Sequence, residues 1–224
     1  MLELMKDPLE NRPKYLEIVD HYESCLEQHG DTHLGVDWPN EQDAQLRYKV
    51  MLDVIRETKT KAVSLLDFGC GTSHLYAYLQ AHHYPHVQYA GLDISPKYIA
   101  VAQQKYPSVP YYCLDVMDAD STMPTTDYVV MNGVFTEKRA LNFDEMWAYF
   151  QQVITKVFAQ VRLGLAFNVM SKQVDWERED LFHLPMDLLA AFLKKEVSRH
   201  FVFRHEYGLF EYTVYVYKLP ANNL

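Results

Sequence analysis

The stretch Leu65-Leu66-Asp67-Phe68-Gly69-Cys70-Gly71-Thr72-Ser73-His74-Leu75 decides the fold. Val63 to Phe68 is a short apolar run, the pattern of a buried parallel strand. Two glycines follow, and then apolar residues at helical spacing, Leu75, Tyr78 and Leu79. Strand, tight glycine turn and helix form the opening unit of a doubly wound α/β sheet. Gly69 and Gly71 let the chain turn sharply and let a ligand approach the backbone. The helix after them presents free N–H groups to that ligand. A dinucleotide fingerprint would require a third glycine at position 74, where this chain has His74. Asp67 closes the strand, and a carboxylate there repels a pyrophosphate but suits a cationic ligand.

Before this unit lie two amphipathic helices. Residues 13–29 carry a stripe of Tyr15, Val19, Tyr22 and Leu26, with Pro13 suited to the first turn and Gly30 to the stop. Asn40 is a good N-cap for a second helix with Leu46, Val50 and Val54 as its core stripe. After the unit, strands are expected at Val87–Ile94, Val109–Leu114, Asp127–Asn132 and Leu163–Met170. Ser95-Pro96 pairs an N-cap with proline at the first helical position, opening a helix to about Tyr106. Helices are also expected at about 143–160 and from Pro185 to Val197. His200–His205 and Glu211–Lys218 read as an antiparallel hairpin through Tyr207-Gly208. The reading is a helical cap over residues 1–61 and a Rossmann-like domain over 62–224. The sheet has seven strands, mostly parallel, with a C-terminal antiparallel hairpin.

Composition sets bounds on function. The formal net charge of −9 disfavours a nucleic-acid substrate, which asks for a basic face. No apolar run reaches the roughly 20 residues that span a bilayer. The first residues are acidic and lack the basic start of a signal peptide. Cys25, Cys70 and Cys113 are too few and too scattered for a disulfide framework or a zinc site. A reduced, cytoplasmic protein is expected, and no metal-ligand cluster stands out.

Asp67-Phe68-Gly69-Cys70-Gly71-Thr72 resembles the first motif of the class I S-adenosylmethionine-dependent methyltransferases. The resemblance covers about residues 62–218. It implies a seventh strand inserted antiparallel beside the fifth, and S-adenosyl-L-methionine as cofactor. It assigns cofactor contacts to Asp67, Gly69, Cys70, Gly71 and Thr72. Asp93 with Ile94 would take the ribose hydroxyls. Asp115 with Val116 would take the adenine, with Asp118 and Asp120 as competing acids. The Asn132 carbonyl would accept from the cofactor ammonium, and Gly133 would leave room for the methyl acceptor. Many members read G-x-G-x-G; this chain has Ser73 at the last place, where a serine is expected to cap the helix. The chain also has Asn132-Gly133-Val134-Phe135 where base-amino methylating enzymes carry Asp/Asn-Pro-Pro-aromatic. That departure argues against a nucleobase acceptor.

The family builds its acceptor site from segments that correspond here to residues 33–47, 135–139 and 171–183. Arg47 is a candidate bidentate partner for the cofactor carboxylate, weighed against a surface ion pair. His183 is the candidate general base and Glu137 its substitute, weighed against structural roles. Histidines at 82, 83 and 86 read as surface residues, and His74 as a shaper of the glycine loop. The expected reaction is methyl transfer to an O or N atom of a small polar metabolite, of sugar or natural-product type. A protein methyltransferase, a non-catalytic S-adenosylmethionine-binding protein and a nicotinamide-dependent oxidoreductase are the alternatives.

Overall fold

The computed structural model describes residues 12–56 and 61–221. One sheet organises them, in the order β3-β2-β1-β4-β5-β8-β7. Its strands are β1 (Val63–Phe68), β2 (Val87–Asp93), β3 (Tyr111–Cys113), β4 (Thr126–Phe135), β5 (Val161–Ser171), β7 (His200–Arg204) and β8 (Glu211–Tyr217). β1 to β5 run parallel, and β8 enters antiparallel between β5 and β7. The strand order implied by the resemblance is therefore the observed one, and the hairpin is antiparallel as its short connection requires. An eighth strand, β6 (His183–Leu184), adds two residues parallel to the end of β5. The sequence reading has no strand there, because two residues carry no periodicity.

The helices are α1 (Leu16–His29), α2 (Glu41–Leu52), α3 (His74–Ala81), α4 (Pro96–Lys105), α5 (Phe143–Ala159) and α6 (Met186–Phe192). Their ends follow from local chemistry. Asn40 caps α2 by accepting from the Gln42 and Asp43 amides. Ser95 caps α4 ahead of Pro96. Asn142 and Glu145 close a reciprocal capping box on α5. Gly30 ends α1 at φ +62°, a left-handed position. α6 runs on into a π-type turn over Leu193–Val197, so the helix expected from Pro185 to Val197 has two parts.

Neighbouring residues of the strands face opposite ways, and two cores result. Leu66, Val129, Met131, Leu165 and Phe167 pack under Met146, Phe150, Val153 and Val157 of α5. Leu65, Tyr128, Val130 and Ala166 pack under Ala44, Tyr48, Met51 and Leu52 of α2 and Leu75 and Leu79 of α3. The core of β4, Tyr128 to Met131, is completely buried, as an apolar central strand demands. α2 thus belongs to the core of the sheet. α1 adds Ile18 to the other core and turns Tyr15, Val19 and Tyr22 toward the carboxyl ends of the strands. Among the described residues no helix is long and apolar enough to cross a membrane.

Candidate active site

In an open parallel sheet a ligand cleft forms outside the carboxyl ends of the strands, where the strand order reverses. Here the reversal lies between β1 and β4. A cavity of about 1120 Å³ of empty space, open solvent included, lies at that point. Its floor is the β1–α3 turn, from Asp67 to Gly71, with the ends of β2, β3 and β4. Its roof is aromatic: Tyr15 and Tyr22 from α1, Trp38 from the following loop, Tyr98 from α4 and Tyr149 from α5.

The glycine turn is held from both sides. The Gly69 and Cys70 amides donate to the Leu92 carbonyl at 2.7 and 3.0 Å. The Gly71 amide donates to Asp93 Oδ2 at 2.9 Å. Gly71 sits at φ +52°, where an L side chain is strained, and a Cβ there would press on Val36 at 3.3 Å. Ser73 also adopts a left-handed conformation, φ +66°. That is the backbone shape a glycine supplies in relatives at no steric cost. The expected cap is absent: Ser73 Oγ makes no bond to the helix amides and instead meets the Tyr111 hydroxyl at 2.8 Å. A residue at N-cap with left-handed dihedrals does not aim its side chain at the first turn. His74 lines the cavity, with Nε2 shared between Thr72 Oγ1 (3.1 Å) and Asp31 Oδ1 (2.9 Å). It ties the glycine loop to the chain after α1.

Three carboxylates line the cavity. Asp67 is buried and accepts from Tyr89 Oη at 2.8 Å. Burial, and secondly the nearby Asp93 charge, push its pKa up to about 7, against the opposing Tyr89 hydrogen bond. Asp93 takes the Gly71 amide on one oxygen and the Ser95 amide (2.9 Å) on the other. Burial raises its pKa to about 6 although both amides favour the charged form. Asp115 accepts the Tyr15 hydroxyl at 2.6 Å and the Met117 amide at 2.8 Å. Among the described residues none of the three has an ion-pair partner, and no lysine or arginine lines the cavity. Of the other expected cofactor residues, Gly69, Cys70, Gly71, Ile94, Val116, Asn132 and Gly133 line it, and Thr72 does not. Asp118 and Asp120 do not line it.

β4 reaches the cavity with an irregularity. Its register against β5 shifts between Met131 and Phe135, and Gly133 sits at φ +81°. Asn168 Oδ1 of β5 takes the Gly133 amide at 2.8 Å in place of a ladder partner. The Gly133 carbonyl accepts from Tyr22 Oη (3.1 Å) and Thr136 Oγ1 (3.0 Å). The room that Gly133 leaves is filled by Trp38, whose ring would stand 2.7 Å from a Cβ. It is thus not open to an acceptor. Asn132 Oδ1 is buried with no hydrogen-bond partner.

Three expectations are corrected here. Arg47 does not line the cavity. Its Nε donates to Glu211 Oε2 at 2.8 Å, in a pair nearly shut off from water, and its guanidinium lies 4.2 Å from the Trp38 ring centre. His183 is buried away from the cavity, with Nδ1 at 2.6 Å from the Ser171 carbonyl and Nε2 accepting the Arg178 amide. Both ring nitrogens are occupied by backbone, so no lone pair is left for an acceptor proton. Glu137 is buried, raised in pKa by burial and paired with Arg139 at 3.3 Å, and it does not line the cavity. The sequence reading missed Asn168, Glu211 and the aromatic roof. The tyrosine stripe on α1 was the available signal for the roof, and its residues point at the cavity and not only into the core.

Comparison with known proteins agrees with this architecture. Residues 66–157 match the family model described as a methyltransferase domain. A Mycobacterium tuberculosis protein named as a methyltransferase, Rv1506c, is 29% identical over 161 residues, which are 69% of this chain and 93% of that one. The chain is similar to a methyltransferase domain over residues 66–157 and has the fold of S-adenosylmethionine-dependent methyltransferases. Among solved structures, magnesium protoporphyrin IX methyltransferase from Synechocystis PCC 6803 shares the fold with a TM-score of 0.64 at 15% identity, over 97% of this chain and 100% of that one. The 1,6-didemethyltoxoflavin-N1-methyltransferase of Burkholderia thailandensis shares it with a TM-score of 0.58 at 15% identity, over 97% and 93%.

Proposed function

We propose that this methyltransferase carries a methyl group from S-adenosylmethionine to an oxygen or nitrogen of a small metabolite held under the aromatic roof. The observation that carries the reading is the charge of the cavity: among the described residues, three strand-end carboxylates line it with no protein cation beside them. Such a site favours a cationic ligand and disfavours a pyrophosphate. That counts for S-adenosylmethionine and against a nicotinamide dinucleotide.

The residues present fit that cofactor. Each Asp93 oxygen uses one lone pair on an amide and keeps another, so the carboxylate can accept two hydroxyls of a ribose. Asp115 keeps the same spare capacity toward an adenine amino group. Asp67 and the unpartnered Asn132 Oδ1 are left as acceptors for an ammonium or for a donor on the acceptor molecule. When bound, the cofactor supplies an already activated methyl group, so the chain need not generate an electrophile. The task of the protein is then orientation and exclusion of water, which can supply much of the rate. Tyr15, stacked on Tyr149 at 4.7 Å, and Trp38, backed by Arg47, close the cavity. The aromatic walls suit an acceptor with a flat ring or an apolar face. Among the described residues no histidine other than His74 lines the cavity, and its Nε2 is engaged. We therefore place catalysis on positioning rather than on a general base.

The test is titration calorimetry with S-adenosylmethionine, S-adenosylhomocysteine and NAD, followed by transfer of labelled methyl to a metabolite panel and to protein substrates. One equivalent of the sulfonium cofactor should bind, NAD should not, and label should move to a small molecule. Binding of NAD alone overturns the cofactor reading. Label found only on protein overturns the acceptor class, and failure of label to move to any acceptor in either set overturns methyl transfer.

A further inference from the structure

Outside the cavity, one group of side chains is arranged like a set of metal ligands. His21 and Cys25 lie one helical turn apart on the same face of α1. Asp37 comes from the loop that follows and meets them. His21 Nε2 is 2.8 Å from Asp37 Oδ2 and 3.9 Å from Cys25 Sγ, and one ligand atom from each residue lies within 4.8 Å of the others. Nitrogen, sulfur and oxygen donors thus converge on one point, and all three residues are half-buried, open to solvent on one side.

The geometry points to a site for a borderline divalent transition ion, with zinc as the natural occupant. Zinc takes thiolate sulfur at about 2.3 Å and imidazole nitrogen or carboxylate oxygen at about 2.0–2.2 Å, in tetrahedral order. Those bond lengths place neighbouring ligand atoms about 3.3–3.6 Å apart. The two distances observed here lie on either side of that range and the third pair lies within 4.8 Å, so side-chain shifts of up to about an ångström admit the ion. Mixed sulfur and nitrogen donors select against magnesium and calcium, which ask for oxygen ligands. Binding replaces the Cys25 thiol proton, which leaves to solvent, by a metal–sulfur bond. Glu137 and Arg139, paired with each other, both lie within electrostatic reach of the trio.

Its place in the fold gives the site a role. Tyr22 follows His21, and Val36 and Trp38 flank Asp37; all three line the cavity. Asp37 itself is held at φ +57°, a left-handed conformation that turns the chain there. An ion at this point clamps α1 to the loop and so fixes two walls of the roof. The fourth coordination position is open to water. This inference is independent of the proposed methyl transfer, which needs no metal.

The test uses the full-length chain without a histidine tag, stripped with a chelator and titrated with Co(II), then Zn(II). One equivalent of Co(II) should give visible bands of four-coordinate intensity and a thiolate-to-cobalt charge-transfer band in the near ultraviolet, both erased by Zn(II). Cys25→Ser should abolish the charge-transfer band. His21→Gln should weaken Co(II) binding by more than about 100-fold, beyond the roughly 10–100-fold that outer partners carry. Asp37→Asn should weaken binding while the thiolate band remains. Circular dichroism shows whether each variant is folded, and three variants at separate positions keep the test decisive if one is not. A wild-type chain with no thiolate band makes the trio an ordinary hydrogen-bonded cluster and overturns the site. A band that survives in Cys25→Ser places the ion on Cys70 or Cys113 and overturns it equally.

Discussion

Among the described residues Asp67 has no cationic partner. Burial raises its pKa to about 7, far above the usual carboxylate range, so the folded chain holds a proton there that the unfolded chain has already released. Between about pH 4 and pH 7 the native state therefore binds more protons than the unfolded one, and this residue lowers stability as pH rises through that window. A sulfonium or ammonium ligand reverses the preference, because it favours the ionised form. Affinity for S-adenosylmethionine should then rise steeply with pH below about 7, by up to roughly tenfold per unit, and level off above it. Calorimetry from pH 5.5 to 8 checks this, and Asp67→Asn should flatten the profile. A wild-type affinity constant across that range removes Asp67 from the cofactor site. His183 makes the contrasting case. Its two ring nitrogens serve the Ser171 carbonyl and the Arg178 amide. His183→Ala leaves two backbone groups without partners at a buried position, each costing about 1–3 kcal/mol. We expect a lower denaturation midpoint with cofactor affinity held within about threefold of wild type by calorimetry. A collapse of affinity in the folded variant would return His183 to the active site.

Elements were legible in the sequence where a single residue type has one local job. Asn40, Ser95 and Gly30 stand at the helix ends where their chemistry puts them. Val63–Phe68 and the apolar run of β4 are the buried strands that their composition requires. The misses share a cause. Ser73 suits a helix cap by side-chain type, but its role is set by backbone shape, which the sequence does not display. β6 exists because residues 181–184 are drawn against β5 and the loop after β4, where the Phe182 amide meets the Thr136 carbonyl. β4 was cut short at Asn132, because its extension depends on Asn168 serving an amide that the ladder leaves free. Prediction at this scale rests on the caps. Asn142 closes α5, whose apolar face of Met146, Phe150, Val153 and Val157 covers one side of the sheet. Asn142→Ala removes the acceptor for the Glu145 amide and half of the box. It should cost about 1 kcal/mol. For a chain of this size that is a fall in Tm of about 2–4 °C, read by scanning calorimetry.

At the scale of the whole molecule, the cavity wall is tied to the far end of the chain by one buried acid. Glu211 opens β8 and is 1% exposed. It accepts from Arg47 Nε of α2 and from Asn168 Nδ2 of β5 at 2.9 Å, while Asn168 holds the Gly133 amide of β4. Arg47 in turn backs Trp38, which fills the space beside Gly133. α2 and β5 thus meet on the carboxylate that β8 carries, and β4 joins them through Asn168. The Arg47–Glu211 partners lie 164 residues apart, so no local pattern could pair them, and the sequence offered Arg47 only as a basic residue near the site. Removing one partner of a buried ion pair leaves the other charge uncompensated, at a cost of about 3–5 kcal/mol, whereas removing both with apolar or neutral substitutes is far milder. Arg47→Met alone should therefore lower stability in urea by about that amount. Glu211→Gln alone leaves a guanidinium that still stacks on Trp38 and keeps 13% of its side chain exposed, against 1% for Glu211, and it should cost less. The double variant should be more stable than the sum of the two single losses by at least about 1 kcal/mol, the coupling expected of residues in one network. Cofactor affinity gives the functional arm. If the network positions the β4 wall, Glu211→Gln should weaken S-adenosylmethionine binding although Glu211 does not line the cavity. Additive stabilities with unchanged affinity would reduce the pair to an incidental contact and leave Asn168 alone as the support of Gly133.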